Sequence, residues 1–210
     1  MKKVMILVLM AVLLAALPVE AKEHDTASVA QLMITTNHLF LEDKDRGTAM
    51  LVVGTFFYDF NADWPIFFGY GGYVISSDNF NLYLLGVSVS NPSGLSLGPS
   101  VWAEYVGDKY SYFAEVESYI PTAAGTSGED AVMPPHAYYG FADVGRQFPN
   151  DIKLGLACEI YGRASESKMD ELACGPYVQF DKRYQVWAFY DETPSTSEYN
   201  NIGLRFKFSI

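Results

Sequence analysis

The chain has 210 residues, half of them apolar, with 15 tyrosines, 14 phenylalanines and a formal net charge of −11. That negative balance excludes binding of nucleic acid through the bulk field. A mean hydropathy of only +0.05 means that the apolar residues are interleaved with polar ones rather than gathered into helical membrane spans. Two cysteines and three histidines give no metal-site spacing, and no cofactor is expected.

Lys2 and Lys3 precede an apolar run from Val4 to Leu17 that breaks at Pro18, and Val19 and Ala21 supply the small residues of a cleavage site. Residues 1–21 therefore read as a cleaved signal peptide, because a spanning helix needs about 20 unbroken apolar residues. The mature chain, residues 22–210, has the length of one domain, with no linker and no repeat of fixed period. Its first part, residues 22–47, contains a strand-like stretch at 29–41 with three readings open: a periplasmic segment, a plug, or an extra strand. His24 and His38 fall here, neither with a ligand cluster around it.

From residue 48 onward, period-two stretches broken by Gly, Pro, Asn, Asp and Ser recur, and helical periodicity is lacking. They place strands at 48–58, 65–75, 80–90, 95–105, 109–120, 136–146, 151–162, 171–180, 183–191 and 199–210. Most match the tilted strand of 9–11 residues that crosses a bilayer. Gly69, Gly71 and Gly72 lie inside an alternating strand with no helix after them, so they serve the curvature of a wall and not phosphate binding. Short connections at 76–79, 106–108, 147–150 and 181–182 alternate with longer ones at 61–64, 91–94, 121–135, 163–170 and 192–198. In a membrane barrel the short turns belong to the periplasmic side and the long loops to the outside.

Cross-strand pairing sharpens this reading. With Tyr105 opposite Tyr110, Ala103 meets Tyr112 and Val101 meets Ala114 on an apolar face, while Trp102 with Phe113, Ser100 with Glu115 and Gly98 with Glu117 form the other. Phe180 opposite Tyr184 sets Val178 against Val186 in the same way. The polar face carries small residues, among them Gly98, Gly155, Ala157, Ala173, Gly175 and Gly203, as a cramped interior requires. It also carries Glu104, Glu115, Glu117, Lys153, Glu159, Arg205 and Lys207, the expected lumen charges. Opposite signs must pair in such a space, and about ten strands suit a filled interior, since open porins need 16 to 18. A soluble lipocalin-like barrel would turn the apolar side inward instead.

The two cysteines fall into this pattern. Aligning Ile152 with Phe180, Leu154 with Val178 and Leu156 with Pro176 brings Cys158 opposite Cys174, within disulfide reach. Across the last four strands the apolar face, from Ile152 to Ile210, carries no charge. Catalysis has little support: His136 follows a long loop containing Ser127, Glu129 and Asp130, but no Gly-x-Ser-x-Gly signature is present. No catalytic and no metal-ligating residue is expected. The acidic Glu129, Asp130, Glu166, Asp170 and Glu171 read as a solvated loop face.

The last strand alternates without a fault: Ile202, Leu204, Phe206, Phe208 and Ile210 on one side, Gly203, Arg205, Lys207 and Ser209 on the other. With the export signal, this strand resembles the closing strand of bacterial outer-membrane β-barrel proteins, especially the small OmpA-type barrels, although Phe208 lies two places before the end. The resemblance implies an all-β, antiparallel up-and-down transmembrane barrel of about ten strands, with eight or twelve as alternatives. It further implies export through the periplasm to the outer membrane, with membrane lipids, lipopolysaccharide and the barrel-assembly machinery as partners. The expected role is envelope-structural or loop-displaying, extending to narrow ion or small-solute passage. A lipid-modifying outer-membrane hydrolase or acyltransferase is the alternative, and a secreted soluble ligand-binding barrel is the third.

Overall fold

The computed structural model describes residues 26–60, 64–92, 94–122, 136–163, 168–192 and 200–210. The export signal, His24, most of the 121–135 loop and Glu166 lie outside them. Eleven strands form one closed barrel: β1 (Thr26–Asp43), β2 (Thr48–Asp59), β3 (Trp64–Ser77), β4 (Phe80–Asn91), β5 (Gly94–Val106), β6 (Tyr110–Pro121), β7 (Ala137–Phe148), β8 (Ile152–Arg163), β9 (Lys168–Phe180), β10 (Tyr184–Glu192) and β11 (Asn200–Ser209).

The strand count is eleven and not ten, because the 29–41 stretch belongs to β1 and enters the wall. Its alternation, Gln31, Met33 and Thr35 inward against Leu32 and Ile34 outward, is no different from that of its neighbours. An odd number of up-and-down strands forces one parallel contact, and here it is the closure. β1 pairs antiparallel with β2 and parallel with β11, from Thr26↔Asn200 to Thr35↔Ser209. β11 ends there, so residues 36–43 of β1 have a ladder partner only in β2.

Connections at 44–47, 78–79, 107–109, 149–151 and 181–183 gather at one end with the C-terminus, here termed the short-turn end. Asp181 and Lys182 both hold positive φ, as a type I′ hairpin turn demands, and Arg183 N donates to the Phe180 carbonyl at 3.1 Å. The β4–β5 connection, expected among the longer ones, is a two-residue link closed by the Asn91↔Gly94 pair. The β8–β9 register is as expected, Ile152↔Phe180 through Cys158↔Cys174 to Ile160↔Leu172, and so are Phe180↔Tyr184 and Val178↔Val186.

The β5–β6 hairpin is shifted by two residues from the expected register. Val101 faces Val116, Ala103 faces Ala114 and Tyr105 faces Tyr112, with Gly107 N donating to Tyr110 O at 2.9 Å across the turn. A slip of two leaves every side chain on its original face, so alternation alone cannot distinguish the two registers. The tighter turn decides.

The outward faces form a greasy band. Leu84, Val101, Val116, Leu154, Leu156 and Tyr190 are all exposed, Val116 and Leu156 by 60% or more. Such a continuous apolar exterior does not occur on a soluble barrel and is the surface that meets acyl chains. The secreted soluble reading is therefore overturned. An arginine in place of Leu156, near the middle of β8, is expected to destabilise the bilayer-inserted protein by about 2–4 kcal/mol. Urea unfolding in lipid vesicles, wild type against Leu156→Arg, measures that difference.

Candidate functional site: the barrel interior

The interior has two unlike halves. Along β2, β3 and β4 many of the inward positions are aliphatic: Leu51, Val53, Ile66, Val74, Leu85, Val87 and Val89 pack into one buried cluster with Tyr70, Tyr119 and Ala137. From β6 round to β11 they carry most of the charge. Sequence alternation had sorted the last strands cleanly, but in the first ones both faces are apolar.

All seven expected lumen charges face inward, and three tight clusters hold most of them. At the closing seam Arg205 of β11 spans to Glu159 of β8, with Nη1 to Oε2 at 2.6 Å and Nη2 to Oε1 at 2.5 Å. Its Nε donates to Gln31 Oε1 of β1 at 2.7 Å, and Gln31 Nε2 donates to Asp59 of β2 at 3.2 Å. Tyr139 OH adds a bond to Glu159 at 3.1 Å. The guanidinium also lies over the Trp187 ring at 4.8 Å, with the Phe57 and Phe189 rings nearby. A fork-to-fork pair with the guanidinium Nε–H also bonded is the geometry that offsets the cost of burying two charges.

The second cluster joins Lys153 of β8 to Asp143 of β7 at 2.9 Å, with Tyr177 OH donating to the same carboxylate oxygen at 2.9 Å. The third surrounds Glu117 of β6, which accepts from Ser100 Oγ at 2.8 Å, from Trp102 Nε1 and from Tyr119 OH. Glu104 accepts from Tyr83 OH at 2.8 Å and from Asn81 at 3.0 Å nearer the short-turn end. Glu115 and Lys207 interact electrostatically across the interior.

Small residues make room for this packing. Side chains at Gly155 and Gly203 would collide with the Tyr177 ring and the Phe189 ring respectively. In consequence Ser100, Glu117, Tyr119, Tyr177, Trp187 and Glu159 each keep at most 3% of their surface accessible. At those levels these six side chains are packed against their neighbours and do not line open water.

Several members of this network were missed in the sequence. Asp143 sits at an inward position of β7, two places from Phe141 and Gly145, and extending strict alternation through that strand would have found it. Gln31 could not be found while β1 had no assigned place. Tyr139, Tyr177 and Trp187 were visible only as aromatic residues, with nothing to show which carboxylate their polar atoms would reach.

Among the described residues no group of three or more His, Cys, Asp or Glu side chains is placed to hold a metal ion. His136 is exposed at the start of β7, at positive φ, and Ser127, Glu129 and Asp130 lie outside the described residues. Glu171 faces inward at the long-loop end of β9, and the side chain of Asp170 also falls outside the description. Cys158 and Cys174 form a disulfide on the outward face, with Cα atoms 4.1 Å apart.

No protein-family model and no curated protein matches the chain by sequence. In three dimensions it is similar to a solved structure described as a KdgM porin, with a TM-score of 0.50 and 13% sequence identity, covering 75% of this chain and 81% of that one. Similarity at that identity shows the fold: a closed, porin-like barrel of the outer-membrane type.

Proposed function

We propose that this protein is an integral outer-membrane barrel whose interior is closed, with a role in envelope structure or in the display of its long-loop end. The observation that carries this reading is the buried, two-pronged Arg205–Glu159 fork across the interior, with Trp187 and Phe189 packed against it. An open pore keeps its charged lining hydrated, whereas these groups satisfy one another. Outer-membrane lipids and lipopolysaccharide are the surroundings that the apolar exterior fits, reached through the barrel-assembly machinery.

A second reading, narrow passage of ions or small solutes, is favoured by one feature. The inward faces of β6 to β11 carry most of the interior charge, interleaved with Phe141, Trp187 and Phe189, and the fold is porin-like. On this reading the polar clusters are closures that rearrange. Lipid-modifying catalysis has less behind it, since no nucleophile, base and orienting group converge among the described residues.

Planar-bilayer recording of the refolded wild-type protein tests the two. The closed reading expects current indistinguishable from the bare lipid, in a sample whose heat-modifiable gel mobility confirms a folded barrel. Stable unitary steps from the wild type would replace it with the passage reading.

A further inference from the structure

Over strands β2 to β8 the outer wall is nearly free of charge. On strands β2 to β8, Arg146 is the only outward-facing side chain, among the described residues, that carries a full charge at neutral pH. It lies two residues before the short-turn end of β7, directly across from Tyr110, with its guanidinium 5.2 Å from the centre of the Phe148 ring. A charge there sits at the depth where acyl chains give way to headgroups, and where aromatic residues gather in membrane barrels.

Beside it the β5–β6 turn shapes a groove of about 590 Å3 lined by Tyr105, Gly107, Asp108, Lys109, Tyr110 and Tyr112. The Tyr105 and Tyr112 rings lie 5.9 Å apart, and the Tyr105 ring reaches back over Gly107. Lys109 is anchored by its carbonyl, which accepts from Gln147 N at 2.8 Å, so the turn is fixed against β7. The groove thus combines a tyrosine wall facing the acyl region with one cation and one anion at its watery edge. A second cation, Arg146, stands on the adjacent strand.

We infer that this groove is a headgroup site for an aminophospholipid in the leaflet at the short-turn end. The lipid phosphate meets Lys109 and Arg146, its ammonium meets Asp108, and the glycerol and first acyl carbons lie along Tyr105, Tyr110 and Tyr112. Charge complementarity selects the occupant. A headgroup with phosphate alone leaves Asp108 facing an anion, and a quaternary ammonium cannot donate a hydrogen bond to its carboxylate. The inference rests on the membrane-barrel reading above.

Native mass spectrometry of the refolded protein, released from neutral detergent containing equal dioleoyl phosphatidylethanolamine and dioleoyl phosphatidylglycerol, tests it. The wild type is expected to retain the ethanolamine lipid about threefold to fivefold over the glycerol lipid, the scale of one exposed ion pair. Asp108→Asn should abolish that preference, and Lys109→Gln with Arg146→Gln should lower retention of both lipids. Equal retention by the wild type, or an unchanged preference in Asp108→Asn, overturns the site. Vesicle insertion and heat-modifiable mobility of the same samples separate the failures. A folded, inserted barrel with no preference overturns the site alone, whereas a protein that stays in the aqueous phase overturns the membrane reading as well.

Discussion

Replacing Arg205 with alanine is expected to lower stability by about 3–5 kcal/mol and to open an ion path through the barrel. The first effect follows from what remains behind. Glu159 would keep its buried site and lose both guanidinium bonds, and an uncompensated interior charge costs about that much. Gln31 would lose the Nε–H that it accepts, and the rings of Trp187, Phe57 and Phe189 would lose the cation between them. The second effect follows from space and charge together. A cavity lined by Glu159, Gln31 and Tyr139 admits water, and the carboxylate favours cations, so the current should be cation-selective.

The paired replacement separates the two effects. Arg205→Met with Glu159→Leu removes both charges while filling the volume, and a buried ion pair exchanged for well-packed apolar groups is often neutral or stabilising. This variant should recover most of the lost stability and stay electrically silent. The measurements are urea unfolding in lipid vesicles and planar-bilayer current at matched protein loading. A current in Arg205→Ala no greater than that of the wild type would remove the fork from its role as a closure. A stability loss below about 1 kcal/mol would place the pair among exposed bridges, whose contribution is that small.

The sequence made the wall legible strand by strand and left its closure open. All ten strands read from residue 48 onward exist, with ends displaced by no more than a few residues, because period two and turn chemistry are both local signals. The closure is not local. That β1 pairs with β11 depends on strand number and stagger, which no single segment carries. The interior was legible in part for the same reason. Parity placed Glu104, Glu115, Glu117, Lys153, Glu159, Arg205 and Lys207 on the inner face, but whether Arg205 meets Glu159 or Glu115 depends on side-chain reach across the barrel. The aliphatic interior of β2 to β4 was hidden because Leu51 with Val53 inside and Met50 with Val52 outside leave no contrast for alternation to register. The disulfide was readable since β8 and β9 are joined in sequence and their register is fixed by three apolar pairs before the cysteines meet.

That disulfide faces a medium in which thiol chemistry is suppressed. Cys158 lies midway along β8, exposed on the outer wall, flanked along the strand by Leu156 and Ile160 and across it by Ala142 and Cys174. Exchange requires a thiolate to attack a sulfur, and charged reductants do not enter hydrocarbon. A charged phosphine reductant is therefore expected to leave the bond intact in vesicle-inserted protein and to break it readily in the urea-unfolded chain. Mass-tagging of free thiols after quenching reads the difference directly. The bond closes a loop of sequence separation 16, so Cys158→Ala with Cys174→Ala should lower the unfolding free energy by about 3 kcal/mol. Reduction of the inserted barrel as fast as the unfolded chain would mean that this face meets water. In that case the assignment of Leu154, Leu156 and Val178 to the lipid side would fall with it, because all of them share one surface with the cysteines.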